Sequence, residues 1–162
     1  MSAEDQRQTT RWRRLSELPA GAFAAWRKPD RAVSPVAIVA TVDPDGAPHA
    51  APFGSLRAVT PGLLRLITWR GHDTYKNLCR DDRVTVAMLA PPDLALTVRG
   101  RARVVREQMA SDEQYAIVEI DVEEVKNDMG RAFSIETALT VSILERHQPW
   151  FDATLGEAEE MQ

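Results

Sequence analysis

Three turn signals divide the middle of this chain into short segments, and they constrain its fold more than any other feature. They lie at Asp43-Pro44-Asp45-Gly46, Thr60-Pro61-Gly62 and Ala90-Pro91-Pro92-Asp93. In the first two, proline pre-sets its own φ and glycine takes a backbone conformation that other residues resist. In the third, two adjacent prolines cannot donate to a β-ladder. The segments that flank these turns are therefore predicted to be strands.

The apolar pattern supports the same division into strands. Several of the segments alternate between apolar and polar side chains, as a strand does when one face is buried. Short strands joined by tight turns favour an antiparallel barrel over alternating strands and helices. The six predicted strands are 36–42, 48–59, 63–69, 83–89, 94–106 and 115–125.

Helices are predicted at both ends of the chain. Apolar residues in 11–26 indicate one or two short helices, interrupted near Pro19. In 134–147 apolar residues recur every four positions, which predicts a helix closed by Pro149. Residues 1–10 and the acidic tail 152–162 are expected to be loose.

The fifth and sixth strands carry opposite charges. Arg99, Arg101 and Arg103 share one face of the fifth, whereas Glu119 and Asp121 lie on one face of the sixth. We expect the two faces to pair across the sheet, where such pairs act mainly to fix the register. Gly100 interrupts the basic strand and marks a bulge or a close approach of another backbone.

A short helix is predicted after the third strand, from Asp73 or Thr74 to about Arg80. The unpaired N–H groups at such a start, together with the helix dipole, favour an anion. Polar and cationic side chains surround this start, as a phosphate requires; they are Arg70, His72, Thr74, Lys76 and Asn77.

Length and composition exclude several classes of protein. The chain has 162 residues, which suits one domain spanning 1–162, and a net charge of −4, which disfavours nucleic acid as a partner. No apolar run approaches the roughly 20 residues that cross a bilayer, and the polar start does not resemble a secretory signal. A single cysteine, Cys79, fits a reducing cytoplasm and is expected to be a small buried hydrophobe. The scattered histidines indicate no metal site.

These residues resemble a known family. The motifs that show the resemblance are T-V-D-x-D-G-x-P-H-x-x-P-F over 41–53, then Ser55 and Arg57, then G-H-D-T-Y-K-N-L followed by D-D-R-V. In this order they resemble the FMN-binding split β-barrel superfamily, which includes the pyridoxamine-5′-phosphate-oxidase-like and flavin-reductase-like proteins. The resemblance covers roughly 36–125. It implies a mainly β fold, a six-stranded antiparallel Greek-key split barrel with flanking helices at both termini.

The resemblance also implies a cofactor site and a homodimer, with FMN in a cleft between subunits. Thr74-x-Lys76 is similar to the Ser-x-Lys arrangement of the oxidase-like branch, whereas 73–78 resembles the flavin-reductase branch. The implied contacts with the isoalloxazine ring and the length of the flavin are Phe53, Gly54, Ser55, Ile67, Thr68 and Trp69, with Arg57 toward ring or phosphate. The implied phosphate contacts are Thr74, Lys76 and Asn77, with His72 in the same loop.

Two functions follow from this resemblance. The first is an FMN-dependent oxidoreductase that acts on a small molecule or takes electrons from a reduced nicotinamide or deazaflavin donor. No catalytic side chain is assigned, because a flavin carries the redox chemistry itself. The alternative is a non-catalytic binding or carrier protein for flavin, a deazaflavin coenzyme or haem.

Overall fold

The computed structural model describes residues 12–161. Residues 1–10, which we expected to be loose, and Arg11 lie outside the described residues. The strands are β1 (Arg14–Leu15), β2 (Ala37–Val42), β3 (Pro48–Phe53), β4 (Arg57–Thr60), β5 (Leu63–Trp69), β6 (Arg83–Ala90), β7 (Leu94–Arg106) and β8 (Tyr115–Asn127). The α-helices are α1 (Ala20–Trp26), α2 (Asp73–Arg80) and α3 (Gln148–Glu160), with a 3₁₀ turn at Glu145–His147 before α3.

The strands within 12–161 form one antiparallel sheet that curls into an incompletely closed barrel. Their order is β3-β2-β6-β7-β8-β5-β4, and β1 pairs with β8. β3 and β4 lie at opposite ends of this order, yet only residues 54–56 separate them along the chain. Phe53 and Arg57 are four positions apart, so their Cα atoms lie within about 14 Å of each other and the two end strands must come close together. The predicted mainly β split barrel with flanking helices is confirmed.

The described residues hold eight strands, whereas the sequence predicted six, and two places account for the difference. Arg14–Leu15 pairs with β8 within a segment that was predicted to be helical, so that α1 covers only Ala20–Trp26. The predicted strand 48–59 ends at Phe53 and resumes at Arg57. It breaks because the chain must leave one edge of the sheet at 54–56 to reach the other edge.

The prediction of a helix over 134–147 closed by Pro149 is wrong. The last helix, α3, instead begins at Gln148 with Pro149 in its first turn. Proline is tolerated there because the first N–H groups of a helix have no internal acceptor. Residues 152–160, expected to be a loose tail, therefore lie in a helix, and Leu155 is 1% exposed.

Residues 133–144, which we name the strap, cross the outside of the barrel without helix or strand structure. Their backbone groups bond to neighbouring loops: the Ile135 N–H donates to the carbonyl of Pro92 (2.7 Å), and the Leu139 carbonyl accepts from the N–H of Val36 (2.8 Å). These bonds replace those of the predicted helix.

The main hydrophobic core fills the barrel, and a smaller cluster lies outside it under α3. Strand β5 contributes side chains to both clusters, because Leu64 and Leu66 belong to the inner core while Ile67 belongs to the outer cluster. This agrees with the alternation predicted from the sequence. No helix in 12–161 has the length and apolar character that crossing a bilayer requires.

The predicted charge pairing between β7 and β8 is present. Arg103 forms ion pairs with Glu119 (2.6 Å) and Asp121 (2.9 Å), and Arg101 lies opposite Asp121. The register shifts at Gly100, where an added Cβ would collide with the carbonyl of Asp121. Gly100 is thus both a bulge and a close approach.

Candidate functional site

A groove of about 390 Å³ separates the β3–β4 connection from the strap. This volume lies within the range of small-molecule pockets. Four residues of the predicted cofactor site line its barrel side: Phe53, Gly54, Ser55 and Ile67. The opposite wall consists of 141–144 of the strap with His147 and Phe151 at the start of α3.

The hydroxyl of Ser55 fixes the floor of this groove. It accepts a hydrogen bond from the N–H of Ile67 (3.0 Å) and donates one to the carbonyl of the same residue (2.9 Å). The hydroxyl therefore already has both partners, and a ligand in the groove meets Ser55 mainly through its backbone.

The other two predicted β5 contacts lie away from the groove. Thr68 is 2% exposed and shares the inner face of the strand with Leu66, because side chains alternate along a strand. Trp69 is 48% exposed at the end of the strand, and its ring covers Gly71 so closely that a Cβ there would collide with it. Of the three predicted β5 residues, only Ile67 lines the groove.

Phe53 connects the groove to the start of α2. Its ring lies edge-on to the ring of His72, with 5.8 Å between centroids, and His72 packs in the same way on His49 at 6.1 Å. His49 Nδ1 lies 3.9 Å from a carboxylate oxygen of Asp43, and its Nε2 is buried without a hydrogen-bond partner. An aromatic surface thus joins the groove to the predicted phosphate site.

The N-terminus of α2 carries an unpartnered buried hydroxyl. His72 caps the helix, since its Nδ1 accepts a hydrogen bond from the N–H of Thr74 (3.1 Å). The side chain of Thr74 is fully buried, and its Oγ1 has no partner. A buried hydroxyl without a partner is costly, so a ligand oxygen at this point would be favoured. The helix dipole adds to the preference for an anion.

Lys76 and Asn77, the remaining predicted phosphate contacts, are placed differently. The amide of Asn77 is buried and donates to Asp43 (2.8 Å) and to Thr41 (3.0 Å), so it ties α2 to β2 and the turn that follows it. Lys76 is exposed beside a shallow hollow that is also lined by the carboxylates Asp43, Asp45 and Asp73. Thr74 is the predicted phosphate contact that offers a buried, free hydroxyl.

Arg57 lies beneath the groove rather than in it. It is 7% exposed, and its guanidinium donates to the carbonyls of Ser55 (3.1 Å) and Ala32 (3.0 Å). Lys28 lies beside it and binds the carbonyls of Gly54 and Leu56. Sequence reasoning did not identify Lys28, because lysine is rarely buried and no local pattern marks it.

Other residues of the site were also missed or misplaced. The strap residues 141–144 and Phe151 reach the groove only through tertiary packing. His147, expected near the C-terminus of a helix, is instead the N-cap residue of α3. Cys79, expected to be buried, is an exposed free thiol. Within 12–161 no three histidine, cysteine or acidic side chains converge as metal ligands would.

A family model described as pyridoxamine 5′-phosphate oxidase matches residues 30–138 of this chain. Because the match spans more than half of the chain, the protein belongs to this family. The match contains β2 to β8 and the first part of the strap, and it ends before α3. No curated protein sequence matches the chain.

Solved structures show the same fold at low sequence identity. A Lactobacillus delbrueckii protein provisionally assigned as a pyridoxamine 5′-phosphate oxidase has a TM-score of 0.55 at 22% identity, with 67% of this chain and 93% of that chain covered. A protein named F420 reductase has a TM-score of 0.56 at 17% identity, covering 68% and 99%. HupZ from Group A Streptococcus has a TM-score of 0.50 at 19% identity, covering 71% and 96%.

Proposed function

We propose that this protein binds FMN and uses it as an oxidoreductase toward a small molecule or a reduced cofactor. The isoalloxazine ring would occupy the groove against Phe53, Gly54 and Ile67, and the phosphate would lie at the start of α2. The observation that carries the proposal is the buried, unpartnered hydroxyl of Thr74 at that helix start. This helix start is joined to the groove by the contact between the rings of Phe53, which lines the groove, and His72, which caps the helix.

The protein's part in this chemistry is to bind and orient. Bound FMN would supply the electron and hydride transfer, which the surrounding side chains do not need to perform. Phe53 and Ile67 offer apolar surface to a ring, and residues 141–144 of the strap form the opposite wall. Ser55 and Arg57 hold the floor in shape through their hydrogen bonds.

Reconstitution tests FMN binding directly. The purified full chain is unfolded, freed of small molecules, refolded and titrated with FMN while flavin fluorescence is followed. We expect saturation at one FMN per chain. Riboflavin, which lacks the phosphate, is the matched ligand, and we expect it to bind at least tenfold more weakly. A protein that takes up neither compound contradicts the proposal.

Reduction of the bound flavin distinguishes an enzyme from a carrier. The FMN-loaded protein is mixed without oxygen with NADH, NADPH or a reduced deazaflavin, and bleaching of the flavin band is recorded. The deazaflavin is included because the structural neighbour named F420 reductase shares the fold. Rapid bleaching by one donor supports the oxidoreductase, whereas no bleaching by any donor supports a binding or carrier protein.

Haem is the second candidate ligand, and one observation favours it. His49 Nε2 is a buried imidazole nitrogen without a partner, and the His72 ring lies next to it. Imidazole nitrogen is a common haem ligand. If haem binds here, haemin titration gives a Soret shift that His49→Ala removes. Equal spectra for the wild type and His49→Ala argue against this site.

We also propose that the protein is a homodimer in which the strap contacts a second copy. Large apolar side chains are exposed along the strap, with Phe133 at 74% and Leu144 at 62%. Exposed large apolar side chains are a feature of interaction sites. Light scattering after size exclusion tests this, and Phe133→Ser is expected to weaken the dimer. A monomeric wild type contradicts it.

The single free cysteine, Cys79, is compatible with our proposed cytoplasmic location.

A further inference from the structure

A buried ammonium group lies directly behind the groove. Lys28 is 3% exposed, and its Nζ donates to the carbonyls of Gly54 (2.7 Å) and Leu56 (2.8 Å). Gly54 is itself part of the groove wall. Lys28 also adopts a positive φ of 49°, an uncommon conformation for a residue with a side chain, which the surrounding structure must hold in place.

A second buried cation continues the same arrangement. Arg57 donates from Nε to the carbonyl of Ser55 (3.1 Å), which lies between the two carbonyls that Lys28 binds. Three successive carbonyls of the β3–β4 connection therefore point at two positive side chains. Gly54 and Ser55 of this connection also line the groove.

The surroundings of this pair leave it incompletely neutralised. Arg57 Nη1 is buried without a hydrogen bond, and a Glu159 oxygen lies 3.8 Å from it. Glu159 is partly exposed on α3 and also pairs with Arg31 at 3.4 Å. The positive charges of Lys28 and Arg57 therefore face one carboxylate, that of Glu159, which Arg31 shares.

The charge of Lys28 is sensitive to pH near neutrality. Burial, followed by repulsion from Arg57, lowers the pKa of Lys28 to about 7. Burial also lowers the pKa of Arg57, while Glu159 opposes that shift. Because arginine stays charged at any ordinary pH, Lys28 is the member of the pair that titrates.

We propose that Lys28 and Arg57 form a buried cationic pair that shapes the connection 54–56 and makes the groove bind an electron-rich ligand more tightly than an electron-poor one. This inference rests on the proposed function, in which that ligand is the isoalloxazine ring. When a two-electron donor reduces FMN and the ring takes up one proton, the reduced ring carries one more negative charge than the oxidised ring, and charge near the ring tunes its electronics. Lys28 and Arg57 are thus positioning residues that raise the reduction potential of the cofactor.

The test replaces one charge at a time in the full chain loaded with FMN. Lys28→Met removes the buried charge and keeps the length of the side chain. Arg27→Met is the matched control, because Arg27 is the preceding residue, carries the same charge and is exposed. The dissociation constant of oxidised FMN and its midpoint potential are measured at pH 6 and pH 9.

At pH 6 we expect Lys28→Met to lower the affinity for reduced relative to oxidised flavin about tenfold, which corresponds to about 30 mV for a two-electron couple. At pH 9 the difference from the wild type should shrink, since Lys28 is then largely neutral in both oxidation states. Arg27→Met should match the wild type at both pH values. Equal potentials for Lys28→Met and the wild type at pH 6 overturn the inference.

Glu159→Gln tests the same idea without disturbing the buried amine. It removes the carboxylate nearest to Arg57, and the side chain is exposed enough to be replaced without unfolding. We expect Glu159→Gln to raise the affinity for reduced relative to oxidised flavin, whereas Lys28→Met should lower it. Glu160→Gln, an exposed neighbour on the same helix, is the control. A shift of the same sign as that of Lys28→Met contradicts the electrostatic argument.

A measurement without flavin separates failure of this inference from failure of FMN binding. A lysine in the unfolded chain keeps its proton up to a pH of about 10.4. Between pH 7 and that value, Lys28 holds up to one more proton in the unfolded protein than in the folded protein, so its contribution to folding stability should rise with pH. Lys28→Met should lack this rise, and Arg27→Met should retain it. An identical pH slope in Lys28→Met and the wild type shows that the pKa of Lys28 is not lowered by burial beside Arg57, which overturns the inference whether or not FMN binds.

Discussion

Ser55 and Ile67 exchange two hydrogen bonds, 3.0 and 2.9 Å long, between one hydroxyl and both backbone groups of the facing residue. The pairing of β4 with β5 stops at Arg57 and Arg65, two residues short of this point on each strand. The hydroxyl thus continues the ladder where the backbone of the 54–56 connection has turned away. One side chain therefore stabilises the open side of the barrel and the floor of the groove together.

Replacing the Ser55 hydroxyl should lower both the stability of the protein and its affinity for FMN. In Ser55→Ala the N–H and the carbonyl of Ile67 lose a partner, which costs about 1–3 kcal/mol of unfolding free energy. We expect the FMN dissociation constant to rise as the floor loosens. Urea unfolding and FMN titration measure the two effects. Ser55→Thr, which keeps a hydroxyl, should lie closer to the wild type, and an unchanged stability in Ser55→Ala would show that the two bonds contribute little.

Thr74 should respond to substitution with opposite signs in stability and affinity. Thr74→Val replaces an unpartnered buried hydroxyl by a methyl group, so stability without ligand should increase by about 1 kcal/mol. FMN binding should weaken by about 1–3 kcal/mol, because the phosphate loses a charge-assisted hydrogen bond. Thermal unfolding of the ligand-free protein and FMN titration measure these changes.

The matched variant Thr74→Ser keeps the hydroxyl and should keep most of the affinity. Lys76→Ala should also weaken FMN by about 1–3 kcal/mol if its flexible side chain reaches the phosphate. Full affinity in both Thr74→Val and Lys76→Ala would move the phosphate away from the start of α2.

Gly100→Ala should destabilise the sheet. The added Cβ would meet the carbonyl oxygen of Asp121 on β8, a backbone atom that cannot move aside alone. Overpacking of this kind costs about 1–3 kcal/mol. Gly62→Ala is the matched control, since no heavy atom lies within 4 Å of its added Cβ and Gly62, contrary to the prediction from its turn sequence, does not adopt a positive φ. Urea unfolding of both variants checks the difference, and equal stabilities would contradict the close approach.

Glu157 should make the docking of α3 sensitive to acid. Burial alone would raise the pKa of this carboxyl, but hydrogen bonds from Arg106 and from the backbone of Ser111 and Ala110 outweigh it and lower the pKa to about 2. The carboxylate therefore contributes stability above its unfolded pKa of about 4.3, and this contribution is lost as the pH falls toward 2.

The variant Glu157→Gln should lose about 1–3 kcal/mol at pH 7, because charge-assisted bonds are replaced by weaker ones. The gap to the wild type should close between pH 4.5 and pH 2, as both proteins then carry a neutral side chain. Denaturant unfolding of both proteins between pH 2 and pH 7 measures this difference in stability. Glu160→Gln, exposed on the same helix, should show no such convergence.

Much of the barrel was predictable because its signals are local. The turn at 43–46 has Gly46 at a φ of 88°, and the strands around it, the helix α2 and the charge pairing of β7 with β8 all followed from neighbouring residues. The errors arose where one pattern fits two structures. Pro149 can end a helix or begin one, and the apolar spacing of 134–147 suits a strap as well as a helix.

The candidate site was predictable in part for the same reason. The segments around Phe53 and at α2 carry motif residues close together in sequence, whereas Lys28 and Phe151 come to the groove from distant segments. Nothing in the residues beside Lys28 shows that its ammonium is buried. Only the packing of α1, β4 and the 54–56 connection produces that environment.

The sequence by itself determined the strands, the tight turns and the helix start that favours an anion, since each depends on backbone preferences within a few residues. The tertiary structure decided which strands meet across the opening, which hydroxyl remains free at Thr74, and which cations lie behind the groove. The physical reason is that burial and charge at a point are sums over segments far apart in the chain. No local pattern contains them.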